Sequence, residues 1–421
     1  MSPHRLSWGF AYDMPLAQIV AIPMLAGLLF TKERHSIPVV AESVLLTAFW
    51  SLAGLTTLSA WYPDEAWLTF TKFSKILLMT FVTICLVQDR TKLRYALLVA
   101  ALSVGYYGLK GGIWSSLEGG TGGMVLGPTG SFIEDNNGLA LALNMSLPIL
   151  FYLGKEEQRK WLRGLLYATF VCTVLAVVFT YSRAGFLGLV VVLLMMLARS
   201  RRKFSTAALM GVVLLATLPF IPTRWFDRMN TIADYEKDRS SMSRIYAWKI
   251  GWQIALDSPI TGGGFNVFGN DAIWAKYAPE FYFDIGKEAT NRTPNAHSIY
   301  FLVLGEHGFI GFFLFVGLIV STLVSLRRSR RAARAAPDGS WLVNYSYMME
   351  ASICGFLVTG TFQNLAYFDF FYFLVGTTVV LNRLSVMAFR ESSPVATSLL
   401  IEGSRVAIVG SPALTVSSRI R

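Results

Sequence analysis

Residues 298–325 read SIYFLVLGEHGFIGFFLFVGLIVSTLVS, an apolar run in which Glu306 and His307 are the only carboxylate and imidazole. A helix needs about 20 such residues to cross the hydrocarbon core of a bilayer, so the run predicts a membrane span. Working outward, comparable runs recur at 14–31, 39–60, 67–87, 95–110, 138–153, 162–181, 184–199, 205–222, 342–362 and 366–386. Together they predict an all-α integral membrane protein, a polytopic helical bundle of about 11 transmembrane helices. Composition agrees: 54% of residues are hydrophobic and 15% charged, with a mean hydropathy of +0.49, which excludes a soluble globular chain.

The formal charge of +11 belongs to the membrane and not to nucleic acid, because Lys and Arg collect in the cytoplasmic loops of such proteins. They recur here at every second connection: Lys32 and Arg34; Arg90, Lys92 and Arg94; Lys155, Arg159, Lys160 and Arg163; Arg199 to Lys203; Arg327 to Arg334; Arg383 and Arg390. The intervening segments 61–67 and 111–137 are nearly free of them and face the other side. By this alternation residues 1–222 form an N-terminal membrane region, 223–297 an extracytoplasmic loop, 298–390 a C-terminal membrane region, and 391–421 a poorly ordered cytoplasmic tail. The N-terminal segment then falls outside, which predicts one further helix upstream. Cys85, Cys172 and Cys354 lie far apart in apolar runs and form neither a disulfide framework nor a metal site.

The loop 223–297 is the long polar interruption of the chain, and loops of that length are functional or disordered. Its many tryptophans and tyrosines argue against disorder. Ser240 to Ser243 offer N-caps for a helix from about Arg244 to Leu256, stopped by Asp257-Ser258-Pro259. Arg244, Trp248 and Gly251 share one face, with Ile245, Trp252 and Ala255 beside them. This predicts a helix at the membrane surface with its aromatics inward, followed by a weaker helical piece around 267–277.

Arg183 occupies the tight turn Thr180-Tyr181-Ser182-Arg183-Ala184-Gly185 between two apolar runs, where a guanidinium either snorkels or binds phosphate. Arg244 is either a solvated charge or a phosphate ligand. His297, at the junction of loop and membrane, is either a hydrogen-bonded structural residue or a general base. Glu306 lies within a span, where a carboxylate must face protein. Lys72 and Lys75 sit one to two turns into the third span, as snorkelling cations or phosphate contacts. No Gly-x-x-x-x-Gly-Lys-Ser/Thr loop is present, nor an Asp-x-Asp pair, so a nucleotide is not the expected energy source.

Taken in order, Thr180 to Gly185, Ser243-Arg244-Ile245-Tyr246-Ala247-Trp248, Ser258 to Gly264, Asn295-Ala296-His297-Ser298 and Glu306 to Gly311 resemble the O-antigen ligase and polymerase superfamily. Pro3 to Ala11, Gly108-Leu109-Lys110-Gly111-Gly112 and the segment from Gly127-Pro128 to Asn136-Asn137 look like the subgroup of O-glycosylation ligases associated with the exosortase A system. The resemblance implies a membrane glycosyltransferase without cofactor, in a bacterial inner membrane. Such an enzyme moves a glycan from undecaprenyl diphosphate to an acceptor hydroxyl, on protein or lipid, at the periplasmic face. It implies that Arg183 and Arg244 engage the diphosphate and that His297 is the essential histidine; Lys72, Lys75, Trp248, Gly263, Asn295 and Glu306 complete the expected substrate-binding set. Relatives carry a further hydrophobic helix before the Pro3 motif. The rival functions are a polymerase using the same donor, a transporter or flippase of polysaccharide precursors, and a secretion scaffold.

Overall fold

The computed structural model describes residues 14, 16–30, 37–118, 123–200, 211, 239–279, 295–335 and 339–392. The helices are α1 (Leu16–Phe30), α2 (Ala41–Leu58), α3 (Pro63–Leu86), α4 (Arg90–Leu117), α5 (Asn136–Glu156), α6 (Lys160–Phe179) and α7 (Arg183–Arg199). After them come α8 (Arg239–Asp257), the short α9 (Asp271–Tyr277), α10 (Ile299–Ala335), α11 (Ser340–Gly360) and α12 (Asp369–Ser392). No strand occurs among the described residues. Seven of these helices, α2 to α6, α10 and α12, are long and apolar enough to cross a membrane. The expected span at 205–222 apart from residue 211, the Pro3 to Ala11 motif and nearly all of the tail lie outside the described residues.

Helix α5 is the axis of the bundle. Apart from its ends it is uncharged, and its residues from Gly138 to Leu150 are buried, packed against α4, α6, α7 and α11. Small residues permit that crowding: a side chain at Gly185 would meet Ala140, and one at Gly355 would meet Val192. Asn144 supplies polar glue, its amide donating to Gly185 O at 2.8 Å and Thr359 Oγ1 at 3.2 Å. In lipid such bonds hold helices together where the hydrophobic effect offers little. The outer surface is apolar instead: Val39, Leu58 and Leu117 are largely exposed, as surface facing acyl chains should be.

The two ends of the bundle differ in charge. At one end Arg90 meets Glu156 at 3.3 Å, Arg94 meets Glu157, and Glu350 gathers Arg330 at 2.7 Å, Arg199 at 3.5 Å and Arg327 at 3.6 Å. These are the basic connections of the sequence, folded to one face. Glu350 and Arg330 are both buried, and removing one partner of such a pair strands the other. Glu350→Gln is therefore expected to lower the detergent-phase thermal midpoint by several degrees, from a loss of about 3–5 kcal/mol. Adding Arg330→Met should restore part of the shift in a circular-dichroism melt.

Candidate active site

The opposite end is organised by a break in α10. Gly308 has φ 64° and ψ −166°, a conformation essentially confined to glycine. The break frees backbone groups in apolar surroundings, where each needs a partner. The segment after α8 provides them: Gly263 N–H donates to Gly305 O at 2.8 Å, Gly264 N–H to Glu306 O at 2.9 Å, and Phe309 N–H to Pro259 O at 2.8 Å. Gly264 has φ +85°, and any side chain there would collide with Ala60. The glycine turn thus serves close backbone approach, and the Gly263 amide is already engaged.

Glu306 completes this junction. One carboxylate oxygen accepts from Asn266 N–H at 2.7 Å, the other from Tyr367 O–H at 2.5 Å, and Asn266 reaches on to Glu65 at 2.6 Å. Beside it His307 is fully buried with Nδ1 2.7 Å from Thr56 Oγ1. Glu306 therefore clamps the segment that follows α8.

Helix α8 starts earlier than the sequence pattern predicts, at Arg239, so Ser240 to Ser243 lie within it and do not cap it. It packs on α10, where Gly251 lies against Phe301 and Gly305 against Phe268. Ala247, Ile250, Ile254 and Ala255 are buried. Trp248 is turned inward, stacked on Phe301 at 5.5 Å. Trp252 packs edge-on to Phe309 at 5.7 Å and stays 47% exposed, beside a 42% exposed Ile245. The reason is that the contact with α10 uses the face carrying residues 247, 250, 251 and 254. The weaker helical piece is a 3₁₀ turn at Val267–Gly269 followed by α9.

Arg183 is the first residue of α7, whose N-cap Ser182 accepts from Gly185 N–H at 3.0 Å. The preceding turn is held by two bonds from residues 123–136, here called the strap: Val125 N–H to Phe179 O at 3.1 Å and Asn136 Nδ2 to Thr180 O at 2.8 Å. Asp135, next to Asn136, caps α5 by accepting from Asn137 and Gly138 N–H, both at 2.7 Å. His297 is close enough to Arg244 and Asp135 to feel both charges. Arg183, Arg244 and His297 consequently share one end of the bundle, with Asp135 among them. Asp135 was not singled out from the sequence, although an Asp opening a helix on the Lys/Arg-poor side is a readable signal.

Three non-glycine residues with positive φ occur among the described residues: Tyr181 at 52°, Asn266 at 61° and His297 at 48°. All three fall in or beside the motifs at this end. Such conformations cost roughly 1–3 kcal/mol each and cluster at functional sites. The N-termini of α5, α7 and α10 also lie at this end, and helix N-termini favour anions.

The remaining candidates are placed differently. Asn295 accepts from Asn364 Nδ2 at 3.1 Å, tying the His297 segment to the connection between α11 and α12. Lys72 borders a cleft of about 390 Å³ with Ser131, Phe132, Phe368 and Asp369. Lys75 is exposed one turn further along α3 and does not line that cleft.

The family model described as O-antigen ligase matches residues 168–316, a span containing Arg183, Arg244 and His297. The chain carries an O-antigen ligase domain. A second model, described as a family of unknown function (DUF5935), matches residues 1–157. No curated protein matches the chain. The O-antigen ligase domain begins within α6 and ends in α10 just past the Gly308 break, so it takes in both the arginine turn and the clamped junction. The chain is a multi-pass membrane protein with a membrane ligase or polymerase type of function.

Burial, with the Arg244 charge assisting, holds the His297 imidazole down to about 4, against an opposing pull from Asp135. The ordinary value is 6.5, so protonation favours the unfolded chain. The stabilisation is complete above pH 6.5 and is lost as pH falls toward 4. Histidine NMR of the full chain in detergent should show His297 titrating near pH 4. Arg244→Gln should raise that midpoint and Asp135→Asn should lower it.

Proposed function

We propose that the chain transfers a glycan from undecaprenyl diphosphate to an acceptor hydroxyl, on protein or lipid, at the periplasmic face of a bacterial inner membrane. The observation that carries this reading is a largely buried His297 within reach of the Arg244 and Asp135 charges, at the bundle end where the turn before Arg183 is held by Asn136 and opposite the paired basic cluster. By the rule that Lys and Arg stay cytoplasmic, that end faces outward. The O-antigen ligase description fits a lipid-linked donor and a membrane-proximal acceptor.

In the reaction the acceptor oxygen attacks the anomeric carbon while the bond from that carbon to the diphosphate oxygen breaks. The electron pair leaves with undecaprenyl diphosphate, on which negative charge grows. A guanidinium about 4 Å from that oxygen contributes roughly 4 kcal/mol at an effective dielectric near 20, before desolvation is subtracted. Arg183 and Arg244 supply that charge in place before reaction. The acceptor proton passes to His297, and Asp135 stabilises the resulting imidazolium. A pKa near 4 makes the free enzyme's histidine a weak base. Entry of an anionic donor raises it, so the base becomes effective when the donor is bound. Glu306, with both oxygens committed to protein donors, positions the loop and does not touch substrate.

Transfer from a labelled undecaprenyl-diphosphate glycan by purified enzyme tests this. His297→Ala should lose about 10²- to 10⁴-fold in rate, and Arg183→Ala and Arg244→Ala should each lose at least tenfold with membrane insertion unchanged. Near-normal transfer in all three removes the assignment. A single added glycan identifies a ligase; a ladder of lengths identifies a polymerase.

A further inference from the structure

The motif Gly108-Leu109-Lys110-Gly111-Gly112 plays no part in the transfer site, yet its glycines have a clear physical task. A side chain at Gly108 would strike Thr173, one at Gly112 the backbone of Cys172, and one at Gly111 Val125. The three glycines lay α4 flush against α6 and the strap. What that contact leaves open is a cleft of about 340 Å³ bordered by Tyr107, Lys110, Trp114, Met124, Val125 and Leu126.

Its lining is apolar with two polar exceptions. Lys110 is exposed and has no ion-pair or hydrogen-bond partner among the described residues; at the basic end, Arg90, Arg94 and Arg330 all meet carboxylates. Tyr107 is 5% exposed, and its hydroxyl is buried with no hydrogen-bond partner among the described residues. A buried hydroxyl without a partner is costly, so a ligand that brings it a hydrogen-bond acceptor is favoured. Trp114, Met124 and Leu126 remain exposed at its mouth, offering apolar surface beside the charge.

We infer that this cleft is a second binding site, for the phosphate headgroup of a membrane lipid. A phosphate oxygen accepts from the Lys110 ammonium, a shift of the Tyr107 ring brings its buried hydroxyl to a second one, and the lipid chain lies along Trp114, Met124 and Leu126. Lysine suits phosphate as a point charge. The strap that walls the cleft also holds the turn before Arg183, through Val125 and Asn136. A lipid seated there lies beside the arginine turn and outside the transfer centre. Two sources have the required chemistry: a polyprenyl phosphate and an ordinary anionic phospholipid.

Native mass spectrometry of the delipidated full chain in detergent tests the site. Polyprenyl monophosphate, phosphatidylglycerol and zwitterionic phosphatidylcholine are added separately. One bound equivalent of either anionic lipid is expected, weakened roughly tenfold in Lys110→Gln and less in Tyr107→Phe, and retained in Lys110→Arg. Leu126→Trp, which fills the cleft, should also weaken it, and Arg328→Gln at the opposite end should not. The preferred anionic lipid identifies the source. Binding that ignores Lys110 and Leu126, or is equal for phosphatidylcholine, overturns the inference. No glycan is transferred in this measurement, so its failure leaves the transfer reading intact, and the reverse also holds.

Discussion

The break in α10 at Gly308 is the constraint on which the site end depends. A helix interrupted inside apolar surroundings must have its freed carbonyls and amides satisfied. Here the partners come from another part of the chain, the glycine turn after α8. Satisfying the break therefore fixes α8 against α10, which brings the helix carrying Arg244 to the segment carrying His297. Glu306 strengthens the same junction by holding Asn266 and Tyr367. A buried carboxylate is costly in such surroundings, and its two donors are what make it tolerable.

A second junction does the same for Arg183. The strap bonds the last turn of α6 and its successor through Val125 and Asn136, and Asp135 at its end caps α5. The two junctions approach one another at His297, which responds electrostatically to Arg244 on one side and Asp135 on the other. Backbone strain is concentrated in this region, at Tyr181, Asn266 and His297. At Asn266 the strain is held by its bonds to Glu306 and Glu65, since such conformations persist only where their surroundings fix them.

The opposite end is held by charge pairs. Glu350 with its arginines, and Glu156 and Glu157 with Arg90 and Arg94, draw α4, α5, α7, α10 and α11 together. These pairings set a structural base at that end of the bundle.

Hydrophobic run length, a local property, made the helical membrane class legible in the sequence, and the rhythm of basic connections marked the residues that gather at one end of the bundle. The arginine turn, the helix with Trp248 and the Asn295-Ala296-His297 junction were legible as motifs, because each needs particular residue types within a few positions. Tertiary structure alone decided what those motifs touch. It assigned the glycine turn and Glu306 to the α10 break, left Trp252 half-exposed by choosing the packed face of α8, and brought Asp135 to His297. Hydrogen bonds between residues 263 and 305, or 136 and 180, depend on how distant segments meet, and no local pattern of residues encodes that meeting.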